Sequence, residues 1–414
     1  MHRFEYRDGE LYCEDVRVRD VVAKYGTPLY LYSRNTFKDH FYRLKEAFKE
    51  VRPIICYSVK ANSNLAVLDT LRQCGAGFDV VSSGEIFRVQ QIGADPRKVV
   101  YASVGKDEAD VRLALDWGIL MFNVESEAEL CLINNVARKM GKKAKVALRI
   151  NPDVDARTHD YITTAKKENK FGIDLYTAET IFANKRRYPN VEIVGLHIHI
   201  GSQIIDTRPY LTALEKVKQF ISRIQSYKPR LKYLNIGGGL GIRYKDERPD
   251  TADRFAERVL PAIKSLGLRL IMEPGRFIAG NSGIFLTKVI YVKRTPARNF
   301  VVVDGGMNDL IRPSLYKAYH FIWPIEDRAR DRMVADVVGP ICESGDFFAK
   351  DRDLPVVDRG DILAVFSAGA YGFVMASNYN SRPRPAEVMV DKDKVFLIRK
   401  RESFKDLIRG EKII

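Results

Sequence analysis

The chain of 414 residues has few cysteines and few histidines. Its five cysteines are odd in number and form no CxxC pair, which argues against a disulfide framework and a structural zinc site. Cys342 lies in a polar, turn-like segment where a thiol is accessible and reactive. The other four lie among apolar neighbours, as expected of residues that fill a core: Cys13, Cys56, Cys74 and Cys131.

Long hydrophobic runs are also absent. The sequence contains no stretch of 18 or more uncharged apolar residues, and its first residues have no signal-peptide core. We therefore expect no membrane association and a cytoplasmic location.

Acidic residues are the minority among the charged ones, with 53 Asp and Glu against 68 Lys and Arg, for a net charge of +15. The acidic residues are interleaved with the basic ones, and no nucleic-acid-binding motif accompanies them. A solvated, highly charged surface is expected rather than a nucleic-acid partner. The positive field suits an anionic small-molecule substrate.

The length predicts about two domains, and the first reads as a barrel. Between residues 53 and 273, eight short apolar runs are each followed by a segment with helical spacing of apolar residues, which is the pattern of an α/β protein with a (β/α)8 TIM barrel. A doubly wound open sheet is the structural alternative, but it leaves several runs unexplained. The runs are residues 54–59, 78–81, 99–103, 120–123, 145–150, 193–200, 231–236 and 268–272.

After about residue 282 the apolar pattern changes to period two, which predicts a C-terminal antiparallel β domain. The first residues, with a hairpin signal at Asp8 and Gly9, do not fit the barrel rhythm and are expected to join that domain. The predicted division is therefore residues 1–26, 27–281 and 282–414. The charged segment 153–171 is expected to be an active-site loop.

Unusual residues lie where the C-terminal ends of the barrel strands are predicted, which is where active sites form in this architecture. Lys60 ends an apolar strand, and burial can make such an amine suitable for Schiff-base chemistry. The alternative for Lys60 alone is an ordinary ion pair with a carboxylate. Glu273 ends the last barrel strand, and Asp79 lies in the second.

Three glycines and a histidine complete this end of the barrel. Gly237, Gly238 and Gly239 present several N–H groups, as a phosphate site requires, with Arg276 and Ser202 as further donors. Their spacing is not that of a dinucleotide fingerprint. His197 and His199 share a strand face, but no companion pair suggests a metal, and His199 can instead stack on an aromatic ring. Together with Lys60 and Glu273, these residues describe a pyridoxal phosphate site.

Eight segments spread over nearly the whole chain carry a family resemblance: Tyr57-Ser-Val-Lys-Ala-Asn62, Phe78-Asp-Val-Val-Ser-Ser-Gly-Glu85, Lys170-Phe-Gly-Ile173, His197-Ile-His-Ile-Gly-Ser-Gln203, Gly237-Gly-Gly239, Glu273-Pro-Gly-Arg276, Cys342-Glu-Ser-Gly-Asp346 and Ala368-Gly-Ala-Tyr-Gly372. The chain resembles the group III pyridoxal phosphate decarboxylases. That resemblance implies an alanine-racemase-like fold and a homodimer with shared active sites, in which Cys342 and Glu343 of one subunit reach the cofactor of the other.

The resemblance also implies roles at the cofactor, pyridoxal 5'-phosphate. Lys60 holds it as a Schiff base, His199 stacks on its ring, and Glu273 faces the pyridine nitrogen. The remaining contacts fall to residues on the phosphate side and at the strand ends: Asp79, Ser202, Gly237, Gly238, Gly239, Pro274, Gly275, Arg276 and Tyr371.

Within the group, the resemblance is to members that remove a carboxylate from the D-centre of meso-2,6-diaminopimelate, which gives L-lysine and carbon dioxide. Cys342 is the candidate proton donor. Glu343 is expected to pair with the distal ammonium of this diamino dicarboxylate. The other substrate contacts, chiefly to the distal carboxylate, are expected from Arg276, Arg312, Tyr316 and Tyr371.

Other activities on the same scaffold remain open at this stage. Ornithine and arginine decarboxylases act on substrates that have no distal carboxylate and show Cys-Asp where this chain has Cys342-Glu343. That difference does not exclude a carboxynorspermidine decarboxylase. An amino-acid racemase needs a base on each face of Cα, and the expected tyrosine pattern is missing. A non-catalytic pyridoxal-phosphate-binding protein of this fold is a single barrel without the β domain.

Overall fold

The structure, a computed structural model, describes residues 2–154 and 170–414. The chain forms two compact units, one within residues 1–39, 243–247 and 278–414, and the other within residues 40–242 and 248–277. We call them the β unit and the barrel unit. Most of the predicted loop, residues 153–171, lies outside the described residues. In the described ranges, no helix is long and apolar enough to cross a membrane.

The β unit begins with a small antiparallel sheet of β1 (Phe4–Arg7), β2 (Glu10–Cys13) and β3 (Val16–Arg17). Asp8 and Gly9 turn the chain between β1 and β2 with φ angles of 49° and 77°. Positive φ at both central positions is what a tight hairpin turn requires, so the predicted hairpin is confirmed. Helix α1 (Val18–Tyr25) and strand β4 (Leu29–Ser33) follow.

Eight parallel strands close into a barrel, because the last strand pairs with the first through Ile271 and Ile54. Each strand overlaps one of the predicted apolar runs. The (β/α)8 prediction is confirmed, and closure excludes the open sheet. The strands are β5 (Ile54–Ser58), β6 (Gly77–Val80), β7 (Val99–Ala102), β8 (Met121–Val124), β9 (Ala144–Arg149), β10 (Val191–His197), β11 (Tyr233–Asn235) and β12 (Arg269–Met272).

One helix precedes the first barrel strand and the others follow barrel strands, and several begin at a residue whose side chain caps the first turn. Asp107 accepts from the Asp110 N–H at 2.8 Å, and Ser126 accepts from the Glu129 N–H at 3.1 Å. The helices are α2 (Arg34–Ala47), α3 (Leu65–Gln73), α4 (Ser83–Gln91), α5 (Glu108–Trp117), α6 (Glu127–Lys139), α7 (Leu175–Ala183), α8 (Arg208–Ile224), α9 (Ala252–Ser265) and α10 (Arg276–Ala279).

The barrel strands carry apolar side chains along most of their length and polar ones near their C-terminal ends. One buried apolar cluster contains Ile54, Cys56, Val100, Leu120, Met121, Ala147, Val194 and Ile271. The buried polar residues at the strand ends are Asp79, Asn123, His197, Asn235 and Glu273. Burying such groups is costly unless they are hydrogen-bonded, so the strand ends are the place to look for function.

The C-terminal part of the β unit forms a nine-stranded, mostly antiparallel sheet, as predicted. Its main order is β17-β16-β14-β13-β4-β19-β20, with β18 pairing β13 and β15. The elements are β13 (Gly283–Arg294), β14 (Asn299–Val303), α11 (Arg312–Tyr316), β15 (Ile322–Pro324), β16 (Arg332–Val338), β17 (Phe347–Pro355), β18 (Ile362–Val365), β19 (Ala386–Asp391), β20 (Lys394–Arg399) and α12 (Phe404–Leu407).

The N-terminal boundary of the barrel differs from the predicted residue 27. Strand β4 pairs with β13 and β19 inside the large sheet, so it belongs to the β unit. All five of its residues are buried, which removes the period-two alternation that identified the other strands. Residues 243–247 also belong to the β unit, although the sequence places them between two barrel strands.

Candidate active site

Lys60 lies immediately after β5, and its amine is 2.9 Å from Oδ2 of Asp79 on β6. The lysine side chain is 38% exposed, whereas Asp79 is fully buried. The pKa of Asp79 is raised, because burial and the charge of Glu273 outweigh the opposing effect of Lys60. Ion pairing and Schiff-base chemistry were alternatives for Lys60; the structure shows a pair that leaves the amine accessible.

Ser58 joins this pair to the end of the last strand. Its Oγ lies 2.9 Å from Asp79 Oδ2 and 2.9 Å from the carbonyl oxygen of Glu273. The Ser58 N–H donates to the carbonyl of Pro274 at 3.2 Å. A Cβ on Gly275 would lie 3.1 Å from the Cβ atoms of both Ser58 and Ala61, so glycine permits this close approach. The residues after β12 are thereby held against the Lys60 turn.

Glu273 is a buried carboxylate with three polar neighbours. Its Oε1 accepts from Asn123 Nδ2 at 2.8 Å and from Asn235 Nδ2 at 2.6 Å, and its Oε2 lies 3.3 Å from His197 Nε2. Burial alone would raise the pKa of Glu273. The contact with His197 and the charge of Lys60 overcome that effect and lower the pKa, so the carboxylate is ionised at neutral pH.

His199 is held as a neutral imidazole. Its pKa is lowered well below the usual value, first by burial and then by the positive charges of Arg149 and Lys60. The Gly238 N–H donates to its Nδ1 at 3.3 Å. A neutral, flat ring is suited to stacking on an aromatic ligand. Among the residues that the structure describes, no group of three or more His, Cys, Asp or Glu could hold a metal.

The glycine turn after β11 approaches its neighbours too closely for side chains. Gly237 and Gly239 have φ angles of 67° and 101°, and a Cβ on Gly238 would clash with the carbonyl oxygen of Glu273. Nearby in the same unit, Arg276 Nη2 donates to Ser202 Oγ at 3.2 Å. Backbone N–H groups together with a guanidinium and a hydroxyl are suitable donors for a phosphate.

Pyridoxal phosphate fits the chemistry of this strand end. Lys60 offers a primary amine, His199 a neutral ring, Glu273 a carboxylate, and the glycine turn a main chain without side chains that an anion can approach. Two buried acceptor atoms at the same end, Asp79 Oδ1 and Asn123 Oδ1, have no hydrogen-bond partner among the described residues. Such atoms mark a site where a ligand can satisfy them.

The remaining predicted residues lie in the β unit. Cys342 is exposed, as expected, and its N–H donates to Asn380 Oδ1 at 2.9 Å. The Tyr379 hydroxyl lies 3.4 Å from Glu343 Oε2. Tyr371 has a φ angle of 57°, a strained value for a residue other than glycine.

Arg312 and Tyr316 are the first and last residues of the short helix α11. Arg312 is buried, with Nη1 2.9 Å from His320 Nε2 and its guanidinium 4.8 Å from the centre of the Tyr244 ring. This arrangement fixes a guanidinium inside the β unit through neutral partners.

Sequence reasoning missed the residues that surround Glu273 and Asp79, namely Ser58, Asn123 and Asn235. Each follows or interrupts an apolar run within a buried strand. A polar residue inside such a run is the signal that could have identified them. Their shared target, Glu273, is visible only in three dimensions.

Comparison with known proteins identifies the family. Residues 34–280 match the family model described as "Pyridoxal-dependent decarboxylase, pyridoxal binding domain". The diaminopimelate decarboxylase of Aquifex aeolicus is 49% identical over 97% of this chain and 95% of its own length. That of Vibrio cholerae is 46% identical over the full length of both. The chain belongs to the diaminopimelate decarboxylase family.

A solved structure agrees with this assignment. The diaminopimelate decarboxylase of Helicobacter pylori, complexed with L-lysine, superposes with a TM-score of 0.91 at 42% identity and covers 95% of this chain and 98% of its own. The resemblance to the pyridoxal phosphate decarboxylases is confirmed. The chain is a decarboxylase that uses pyridoxal phosphate as its cofactor.

Proposed function

We propose that the chain removes the carboxylate at the D-centre of meso-2,6-diaminopimelate and releases L-lysine and carbon dioxide. One observation carries the proposal: the end of the barrel combines an accessible amine, an ionised buried carboxylate, a neutral imidazole and a glycine turn. Identity of 44 to 49% to several diaminopimelate decarboxylases supports the choice of substrate.

The chemistry that pyridoxal phosphate supplies, when bound, is an electron sink for the carbanion left at Cα after loss of carbon dioxide. Lys60 would hold the cofactor covalently through its amine, and the substrate amine would take its place. Glu273, because it stays ionised, would hold a proton on the pyridine nitrogen. His199 would stack on the ring as a neutral group.

On the phosphate side, the glycine turn would let the anionic oxygens approach the main chain closely, while the N–H groups of Gly237 and Gly238 donate to Asn235 Oδ1 and His199 Nδ1. Ser202, Arg276 and Tyr371 would add side-chain donors. Pro274 and Gly275 would shape the strand end behind the ring, while Asp79 would orient the Lys60 amine through the contact at 2.9 Å. These residues bind and orient the cofactor without taking part in bond cleavage.

The substrate side requires charge recognition of a second amino-acid group. We propose that Arg276, Arg312, Tyr316 and Tyr371 bind the substrate, chiefly at its distal carboxylate, and that Glu343 pairs with the distal ammonium. A hydrogen bond to a charged group contributes roughly 1.5 to 3 kcal/mol, so a substrate that lacks one of these groups is strongly disfavoured. Ornithine, which has no distal carboxylate, tests this expectation.

Cys342 is the proposed donor of the proton that Cα takes up after carbon dioxide leaves. Its exposure in the isolated chain fits a thiol that works in a site completed by a second subunit. We therefore also propose a homodimer in which Cys342 and Glu343 serve the partner's site. A cytoplasmic location suits an enzyme of amino-acid synthesis.

The experiment is to incubate the purified protein and pyridoxal phosphate with meso-diaminopimelate and to measure lysine and carbon dioxide. Equal yields of the two products are expected. LL-diaminopimelate is the matched control, because it has the same groups but no D-centre, and it should not react. Turnover of ornithine or arginine without lysine formation from diaminopimelate would overturn the proposal.

A further inference from the structure

Two asparagines surround Glu273 in a way that the reaction described so far does not use. Asn123 on β8 and Asn235 on β11 are fully buried in barrel strands. A buried amide is costly unless its donors and acceptor are satisfied. Both use Nδ2 to donate to the same atom, Oε1 of Glu273, at 2.8 and 2.6 Å.

The two oxygens of Glu273 therefore have different partners. Oε1 is occupied by two donors, while Oε2 lies toward His197 at 3.3 Å. Hydrogen bonds to the ionised form favour ionisation. They also fix the plane of the carboxylate, because one of its oxygens is held from two strands at once.

Asn235 has a second contact that sets the orientation of its amide. Its Oδ1 accepts from the Gly237 N–H at 2.9 Å. Because a backbone N–H can only donate, Oδ1 must face Gly237 and Nδ2 must face Glu273. The Glu273 N–H in turn donates to the Gly237 carbonyl at 2.8 Å. Three hydrogen bonds thus form a closed ring through Asn235, Gly237 and Glu273.

Asn123 is held in place from its own side. The buried amine of Lys106 donates to the Asn123 carbonyl at 3.0 Å and to Glu129 Oε1 at 2.6 Å. A strand residue anchored through its main chain presents its side chain at a fixed position. Asn123 therefore supports Glu273 from β8, whereas Asn235 also bonds directly to the glycine turn.

We propose that Asn123 and Asn235 are positioning residues that hold Glu273 ionised and oriented, and that Asn235 also fixes the distance between Glu273 and the phosphate-binding glycine turn. This inference rests on the proposed function, in which Glu273 faces the pyridine nitrogen and the glycine turn binds the phosphate. It predicts different consequences for the two asparagines. Loss of either affects Glu273, but only loss of Asn235 affects the turn.

The test uses the full-length holoenzyme and the variants Asn123→Ala and Asn235→Asp. Asn235→Asp keeps the shape of the side chain and replaces the donor to Glu273 with an acceptor. The matched control is Asn134→Ala, since Asn134 is also a buried asparagine, and its Oδ1 accepts from the Asn190 N–H at 2.9 Å away from the site. The readouts are the visible spectrum of bound cofactor, its dissociation constant, and kcat and KM for meso-diaminopimelate.

Both site variants should lower kcat by about 10- to 100-fold with KM within about threefold, the range expected when an outer hydrogen bond is lost. Both should also shift the visible absorbance of the cofactor. Asn235→Asp should weaken cofactor binding by about tenfold or more, whereas Asn123→Ala and Asn134→Ala should not.

Wild-type kcat, spectrum and cofactor affinity in both site variants would overturn the inference, and so would equal weakening of cofactor binding by Asn123→Ala and Asn235→Asp. Failure of the wild-type protein to form lysine would instead refute the proposed function. The spectra and the cofactor affinities are read without substrate, so they still test the positioning role in that case.

Discussion

Asp79 and Glu273 are both buried carboxylates of the barrel unit, yet their pKa values move in opposite directions. Burial raises the pKa of each. At Glu273 the contact with His197 and the charge of Lys60 outweigh burial, whereas at Asp79 the charge of Glu273 adds to burial. Pairs of titratable groups whose pKa values are shifted in opposite directions are typical of active sites. Glu273 therefore keeps its charge at neutral pH, while the pKa of Asp79 lies above its usual value.

Replacement of Lys60 is the most direct residue-level prediction. Lys60→Ala should abolish the visible absorbance of covalently bound cofactor, because alanine has no amine with which to bind it. The measurement is an absorbance spectrum after reconstitution and gel filtration. Lys142→Ala is the control, since Lys142 forms an exposed pair with Asp116. An unchanged spectrum in Lys60→Ala would refute the covalent role.

Asp309 in the β unit gives a prediction about pH. Burial raises its pKa to about 7, against the opposing hydrogen bond from the Gly306 N–H. The folded state therefore binds a proton more tightly than the unfolded state, whose pKa is about 3.9. The contribution of this group to stability is full below pH 4 and falls as the pH rises to 7.

Asp309→Asn should remove that dependence. Relative to the wild type, the variant should gain stability as the pH rises from 4 to 7, and the gain should level off above 7 at a maximum on the order of 4 kcal/mol. Urea unfolding at several pH values measures the difference. Asp393→Asn, at an exposed turn residue, is the control. A stability difference that does not vary with pH would contradict the assignment.

At the scale of elements, the Cys342 segment is fixed by one carboxylate. Asp346 is buried, and its two oxygens accept from the Met307 and Ile341 N–H groups at 2.6 Å each. Both bonds lie within the β unit, and one of them is made by the residue before Cys342. The segment that carries the proposed proton donor is therefore held in place at Ile341, next to Cys342.

Asp346→Asn should loosen this segment, because an amide NH2 would face a backbone N–H in place of an acceptor oxygen. We expect kcat to fall by about 10- to 100-fold while the cofactor spectrum stays unchanged, with a loss of stability of roughly 1 to 3 kcal/mol. Kinetics, spectra and urea unfolding check the three parts. Asp353→Asn, in an exposed pair with Arg332, is the control. Full activity in Asp346→Asn would show that the anchor is dispensable.

The sequence predicted elements where the burial pattern is simple. Parallel barrel strands are buried on both faces and read as continuous apolar runs between helices, so all eight were found. Strand β17, which contains Lys350, Asp351, Arg352 and Asp353, carries too many charges to read as a strand. Strand β4 has the opposite difficulty, because burial of all five residues hides the alternation typical of a strand with one exposed face.

The residues of the candidate site also differ in how easily the sequence reveals them. Lys60, Glu273 and the glycine turn were found because an amine, a carboxylate and three glycines are chemically unusual at strand ends. Asn123 and Asn235 have only a weaker signal, a polar residue inside an apolar run. Their significance comes from convergence on one oxygen of Glu273 from two strands far apart in the sequence.

At the scale of the whole molecule, the proposal of shared sites in a homodimer can be tested by mixing inactive variants. Lys60→Ala and Cys342→Ala would each inactivate both sites of their own dimer. After subunit exchange, mixed dimers should contain one intact site, which restores about a quarter of the wild-type activity for random pairing. Activity assays after co-refolding measure this. No restoration, with mixed dimers present by mass spectrometry, would show that each subunit contains a complete site.

The central claim, loss of carbon dioxide from the D-centre of meso-diaminopimelate, is tested most directly by running the reaction in deuterium oxide and examining the lysine by NMR and chiral chromatography. The carbon that loses its carboxylate becomes Cε of lysine. We predict L-lysine with one deuterium at Cε and none at Cα. D-lysine, deuterium at Cα, or absence of lysine would contradict the account.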